Sequence, residues 1–325
     1  MFPLRQILRL GSWPDNATID YYLAGAFRAD AALRRVGPNT FQLGDRLIVV
    51  RYITERELRA ARASRWRGVN YVVDDVLPAA AACADLPADY RARLAAFAHT
   101  LLPEILALSP TVLAPTRTIL DLFPSAPRAI ISPCMLGEPS PRPHGHWNAP
   151  LRIAFFGTRS HASSLPFLEA VADRVRRRAP SARLTMFFGR HAPSSLQRAP
   201  NVQNLAPMKW PEFRRMLTVE RFHIGLAPLA DTLFARGRSI TKALDHASAG
   251  VAGLYSEGPT FAGAVTHGRT GLLLPMDADV WAEEIARLDR DRAALEALAQ
   301  AGVERGREVG DPAKLRAFWR DRAGV

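Results

Sequence analysis

The sequence predicts an α/β protein built as two Rossmann-like doubly wound domains facing a cleft. Three observations lead there. Short apolar runs alternate with helical patterns along the 325 residues, which is the signature of parallel sheets. A proline-dense stretch, GEPSPRPHGHWNAP over residues 137–150, has no periodicity and separates two such series. The segment over residues 222–275, FHIGLAPLADTLFARGRSITKALDHASAGVAGLYSEGPTFAGAVTHGRTGLLLP, reads as strand, loop, helix, strand. That unit presents backbone N–H groups and a helix start to an anion.

In the first half, residues 47–50 form an apolar strand, and a Thr-Glu-Arg-Glu start at Thr54 opens a helix to residue 66. Residues 69–73 are a second buried-type strand that ends in Asp74 and Asp75. A long helix over 87–108 is expected to break or kink near Pro103, and residues 111–114 and 129–132 supply two more strands. The second half restarts with LRIAFFG (151–157), a turn over 158–164, and a helix over 165–178 with Leu165, Leu168, Val171 and Val175 on one face. Strands at 184–188 and 202–205 and a helix at 211–218 lead into the 222–275 segment. Helix is expected from 279 to 308, then a short amphipathic helix over 312–322. The reading is thus a domain over 1–148, a second over 149–310, and a terminal helix (311–325) crossing back to the first.

Composition narrows the function. No apolar run approaches the roughly 20 residues of a membrane span, and MFPLRQILRLGSW at the start lacks the continuous apolar core of a signal peptide. Cys83 and Cys134 allow at most one bridge, and no Cys/His cluster has zinc spacing, so a reducing cytoplasm and no metal site are expected. The net charge is +12, and of 43 basic residues only Lys209, Lys242 and Lys314 are lysines. A basic exterior suits an anionic membrane surface more than nucleic acid, because no nucleic-acid-binding motif accompanies it.

Three ordered segments carry a resemblance: LRIAFFGTRSH, APLADTLFARGRSITKALDHASAG and GRTGLLLP. They make the second half resemble the donor-binding domain of a GT-B glycosyltransferase of the family 4, or group 1, type. In the first half, NYVVDDVL is the best marker. The resemblance implies metal-independent transfer from a nucleotide-diphosphate sugar to a glycan or lipid-linked acceptor. It implies no cofactor apart from that donor, and a place on the cytoplasmic side, peripheral to the membrane, in surface polysaccharide or glycolipid assembly.

The residues fit that chemistry. Arg238 offers a bidentate fork, Ser239 a helix N-cap and hydroxyl, and Lys242 a point charge to a diphosphate. Asp245 stands where the family places the acid that holds the nucleotide ribose. Eight residues earlier the family commonly has a Glu, and this chain has Gly237. Gly157 and Thr158 follow the first strand of the second domain, and Gly258, Pro259 and Thr260 line the donor pocket on its other side. The catalytic candidates are Asp74, Asp75 and His161, each with a plain structural alternative as a turn, cap or core residue. Gly237 keeps open a protein that binds nucleotide or glycan without turnover, and a nucleotide-sugar epimerase shares the two-domain shape.

Overall fold

The computed structural model describes residues 17–27, 32–63, 66–84, 86–142 and 145–324, with the side chains of 78, 80 and 81 also outside the description. The expectation for residues 1–13 therefore lies outside the described residues. Two six-stranded sheets organise the chain.

The first sheet runs β1 to β6 in sequence order: β1 (Leu33–Arg35), β2 (Thr40–Leu43), β3 (Arg46–Val50), β4 (Gly68–Val72), β5 (Thr111–Ala114) and β6 (Arg128–Ile130). Its β1–β2 and β2–β3 pairings are antiparallel and the rest parallel, so an edge hairpin joins the expected parallel strands. Alternation along the strands splits their side chains between two layers. Leu47, Val49, Tyr71 and Val112 face α2 (Glu55–Ala63), α3 (Ala88–Leu106) and α4 (Arg117–Leu120). Ile48, Val50, Val72 and Leu113 face the opposite layer, formed by α1 (Ala17–Tyr22) and the last helix, α13 (Pro312–Ala323).

The second sheet is parallel throughout, ordered β12-β11-β10-β7-β8-β9. Its strands are β7 (Arg152–Phe155), β8 (Arg183–Met186), β9 (Val202–Asn204), β10 (Ile224–Ala227), β11 (Ala252–Ser256) and β12 (Leu272–Leu274). They alternate with α5 (Leu165–Arg178), α6 (Ser194–Arg198), α7 (Trp210–Val219), α8 (Leu233–Arg236), α9 (Thr241–Ala249), α10 (Pro259–Ala262), α11 (Ala278–Arg290) and α12 (Arg292–Val309). Strand order reverses between β7 and β10, and the crevice outside the carboxyl ends of such a pair is where α/β sheets bind ligands.

Local chemistry explains the boundaries. Thr54 and Glu57 close a reciprocal capping box at α2, with Thr54 N to Glu57 Oε2 at 2.9 Å and Glu57 N to Thr54 Oγ1 at 3.2 Å. Three expectations are corrected. Helix α3 runs unbroken through Pro103, which sits in its last turn. The 279–308 helix is two helices, split at Asp291, whose carboxylate caps the second through Ala294 N at 2.9 Å. The N-cap of α9 is Ile240, with no side-chain cap, and Ser239 lies one residue outside it. Both cysteines are buried, and they form no disulfide.

Helix α13 packs on the first sheet. Trp319, 1% exposed, donates from Nε1 to Tyr22 O at 2.7 Å, and Arg316 Nε reaches Ala26 O at 2.7 Å. The outgoing and returning chain segments meet at Met135 N and Gly310 O, 2.7 Å apart.

Candidate functional site

Two loops flank the β7/β10 reversal. Gly157 and Thr158 begin the first, where Gly157 lies against the Phe155 ring so closely that a Cβ would fall 2.2 Å from it. The second loop runs from Pro228 to Ile240. Ser164 Oγ donates to Pro228 O at 3.2 Å, and Arg238 Nη2 reaches Ser160 O at 3.5 Å, so the loops are tied together. Ser256, the last residue of β11, accepts from Leu229 N at 3.0 Å and ties in a third.

An open cavity of about 400 Å³ lies between the two sheets at this place. The second half contributes Arg236, Arg238, Ser239, Ile240, Pro259 and Thr260; the first half contributes Thr116, Arg117, Thr118 and Ser132. Arginines and hydroxyls on both walls make an anion-seeking cavity. The uncapped start of α9 opens at Ser239 and Ile240, adding the helix dipole to the same wall. The Arg238 guanidinium lies 4.1 Å from the centre of the Phe234 ring, which fixes the plane of its fork.

The acids lie across from it. Arg51, directly after β3, has a left-handed backbone (φ 51°) and was not singled out from the sequence. Its Nε meets Asp74 Oδ1 at 3.0 Å, and Nη2 pairs with Asp75. Asp75 also accepts from Tyr52 at 3.1 Å and Tyr90 at 3.3 Å, and Arg238 Nη1 approaches it to 3.8 Å. Burial alone would raise the Asp75 carboxyl, but Arg51, Arg238 and the Tyr52 hydroxyl hold it below the usual carboxylate range. A carboxylate with so many donors is a weak base, and its geometry is that of a holder of two arginines. Asp74 accepts from Thr18 at 2.7 Å; burial pushes its carboxyl up, Arg51 opposes, and the Asp75 charge adds to the rise.

His161 is half-buried, its ring edge-on to Phe155, with Arg238 and Lys242 among the charges acting on it. Burial and those two cations hold the imidazole well below its ordinary value, so it is neutral at pH 7. A neutral imidazole beside two cations hydrogen-bonds a ligand without adding to the positive charge.

Asp245 is already engaged by its neighbours. It is 2% exposed, paired with Lys242 Nζ at 2.9 Å, and it accepts a short hydrogen bond from the Tyr21 hydroxyl. Tyr22 donates to Ser239 Oγ at 2.8 Å. Next to them, Asp20 accepts from Trp210 Nε1 at 2.7 Å and Arg214 Nη1 at 2.9 Å. Three consecutive residues of α1 therefore clasp the second half. Gly237 explains itself: a Cβ there would sit 2.6 Å from Val76 Cγ1, so the position has no room for an acid.

No family model and no curated protein sequence matches the chain. Solved structures do. Anabaena HepE in complex with UDP and glucose aligns with a TM-score of 0.58 at 12% identity, covering 86% of this chain and 78% of that one. Sucrose-phosphate synthase from Thermosynechococcus elongatus gives 0.55 at 14%, covering 81% and 70%. The fold is GT-B. A mutant of S. aureus TarM in complex with Fondaparinux, alpha-GlcNAc-glycerol and UDP aligns at 0.58 and 9% identity over 82% of this chain, which spans 53% of that protein. Among the described residues, no helix of this GT-B chain is long and apolar enough to cross a membrane, and no group of three or more His, Cys, Asp or Glu has metal-holding geometry.

Proposed function

We propose that the chain is a glycosyltransferase that moves a sugar from a nucleoside-diphosphate donor to a hydroxyl of a glycan or lipid-linked acceptor. The observation that carries this is the cavity between the two sheets, with Arg117, Arg236 and Arg238 and a row of hydroxyls at the β7/β10 reversal. The GT-B neighbours, solved with UDP and with sugars, support the ligand class.

In this reading the glycosidic C–O bond to the diphosphate breaks while the acceptor oxygen bonds to the sugar carbon and loses its proton. The departing diphosphate gathers negative charge, and Arg238, the Ser239 hydroxyl, Lys242 and the start of α9 are fixed positive groups that stabilise it without a metal. Thr158 and Gly157 border the donor from the β7 loop, and Gly258, Pro259 and Thr260 from the β11 loop. The neutral His161 reaches the sugar end, and the Asp74/Asp75 pair sets Arg51 and Arg238 beside the acceptor. Acceptor entry from the first half, a basic face toward an anionic cytoplasmic membrane and a role in surface polysaccharide or glycolipid assembly complete the proposal.

Arg238→Ala and Lys242→Ala are each expected to lower kcat by about 10²-fold or more, the usual effect of removing one preorganised donor. Turnover is expected to persist in excess EDTA. Undiminished turnover in Arg238→Ala would remove the phosphate assignment. A second reading has its own support, because Gly237 carries no acid and both Asp75 and Asp245 are engaged. A protein that binds nucleotide without transfer would bind UDP in calorimetry yet release no UDP from any donor sugar. An epimerase would instead yield epimeric donor without acceptor.

A further inference from the structure

Ser239 has no capping duty. It stands one residue outside α9, whose N-cap, Ile240, makes no side-chain cap. Among the described residues its hydroxyl proton has one acceptor, Thr241 Oγ1, at a long 3.4 Å. Its oxygen, by contrast, is committed, because the Tyr22 hydroxyl donates to it at 2.8 Å from 217 residues away in the chain. Tyr22 is held firmly in place for that bond. It is 1% exposed, Trp319 Nε1 holds its carbonyl at 2.7 Å, and it shares one core with Leu244 and Ala247 of α9. The two helices are therefore packed together, not merely apposed across the cleft. Burial first, and then the Asp74 charge, push the Tyr22 hydroxyl well up, so it stays protonated and a donor.

Resting on the nucleoside-diphosphate reading above, we propose that Tyr22 is a positioning residue for the diphosphate, acting through Ser239. A serine hydroxyl has one proton to give and two lone pairs. With one lone pair taken by Tyr22, the Ser239 proton is left with the long Thr241 contact or with the cavity, in whose wall Ser239 stands beside Arg238. An anion only accepts, so a serine fixed as a donor meets it without first turning. A free serine would offer a lone pair as readily as its proton. A donor oriented in advance costs no reorganisation when the charge arrives. Tyr22 itself is not among the residues that line the cavity, so its effect on an anion there must pass through Ser239.

The test is calorimetric titration of the full chain with UDP, ADP and GDP, for wild type, Tyr22→Phe, Ser239→Ala and the double variant. Phenylalanine keeps the ring in the core, and the half-buried Ser239 takes a water in place of the lost bond, so the fold is expected to hold; urea midpoints check it. Ser239→Ala is expected to weaken the preferred diphosphate about tenfold, the order of one hydrogen bond to a charged group. Tyr22→Phe is expected to weaken it roughly threefold or more, a part of the same bond. The double variant should bind no more weakly than Ser239→Ala alone, a coupling that a purely structural role for Tyr22 would not produce. Unchanged affinity in Tyr22→Phe or in Ser239→Ala, or the same loss from Tyr22→Phe with and without the Ser239 hydroxyl, overturns the Tyr22 assignment while the nucleotide reading stands. If the wild-type protein binds none of the three diphosphates, the nucleotide reading itself falls, and this assignment with it.

Discussion

Arg51 shows how one side chain organises the acid end of the cleft. It leaves β3 in a left-handed conformation that costs a non-glycine residue about 1 kcal/mol or more, and the surroundings must over-determine it. They do: Arg51 N bonds Val72 O at 2.8 Å, Tyr71 donates to Arg51 O at 3.0 Å, and the guanidinium spans Asp74 and Asp75. Removing the cation would leave two carboxylates facing each other, one of them 2% exposed. Breaking a buried pair from one side typically costs about 3–5 kcal/mol. Arg51→Met is therefore expected to lose stability of that order in urea unfolding at pH 7, and to recover part of it at pH 4 as Asp74 takes a proton. A loss below about 1 kcal/mol would mean that the acids are satisfied by water rather than by Arg51.

Helix α1 is six residues long, too short to form on its own, yet five of them are buried. It is held from two sides. Cys134 N donates to Tyr21 O at 2.8 Å and Trp319 caps Tyr22 O, while Asp20, Tyr21 and Tyr22 reach Arg214, Asp245 and Ser239 in the other half. Burial first, and then the Asp245 charge, pushes the Tyr21 hydroxyl well up, so it stays a donor. Tyr21→Phe leaves a buried carboxylate one donor short, a loss of about 1–3 kcal/mol. Chemical denaturation checks that figure, and an unchanged midpoint would show the Tyr21 bond to be incidental. These contacts also mark the limit of sequence reading. Helix α5 and the Thr54 cap were legible because their cues lie within a few residues of each other. The Arg238–Ser239–Lys242 run showed where a helix starts after an apolar strand, but the cap fell one residue later than expected, at Ile240. The β1–β2 hairpin escaped because LRR and TFQL are only three and four residues long, too short for a period of two to stand out. Tyr21 and Asp245 are 224 residues apart, so their bond could not be read from the sequence. Lys242 is next to Asp245 in the helix and readable as a partner; a tyrosine from the far end of the chain is not.

At the scale of the molecule, the second sheet and its linker are built on imidazoles that fold neutral, and this dictates a pH dependence. His223 accepts from Arg152 N through Nδ1 at 3.0 Å, so its other nitrogen carries the proton and donates to His146 O at 3.0 Å. Its ring stacks on His146 at 4.3 Å. Protonation would set an N–H against an N–H and a cation against a ring. Burial leads in lowering both, to about 4 in each case. His246, 1% exposed between Phe156 and Tyr255, has neither ring nitrogen partnered among the described residues. Burial and the Lys242 charge bring it to about 3. In the unfolded chain each titrates near 6.5. Between about pH 6.5 and 4 the unfolded state therefore binds more protons than the folded one. Stability is full above that range and falls as pH drops through it, by about 1.4 kcal/mol per pH unit for each histidine. The rise of Asp74 and the fall of Asp75 act on this slope in opposite directions. Urea unfolding from pH 8 to 4.5 is expected to give a plateau above pH 7 and a steep loss below 6. His246→Met, which removes one of four such histidines once His161 is counted, should make that slope shallower by about one histidine's share. A flat profile down to pH 5 would mean that these rings are protonated in the folded protein, and the packing drawn here around His223 and His246 would be wrong.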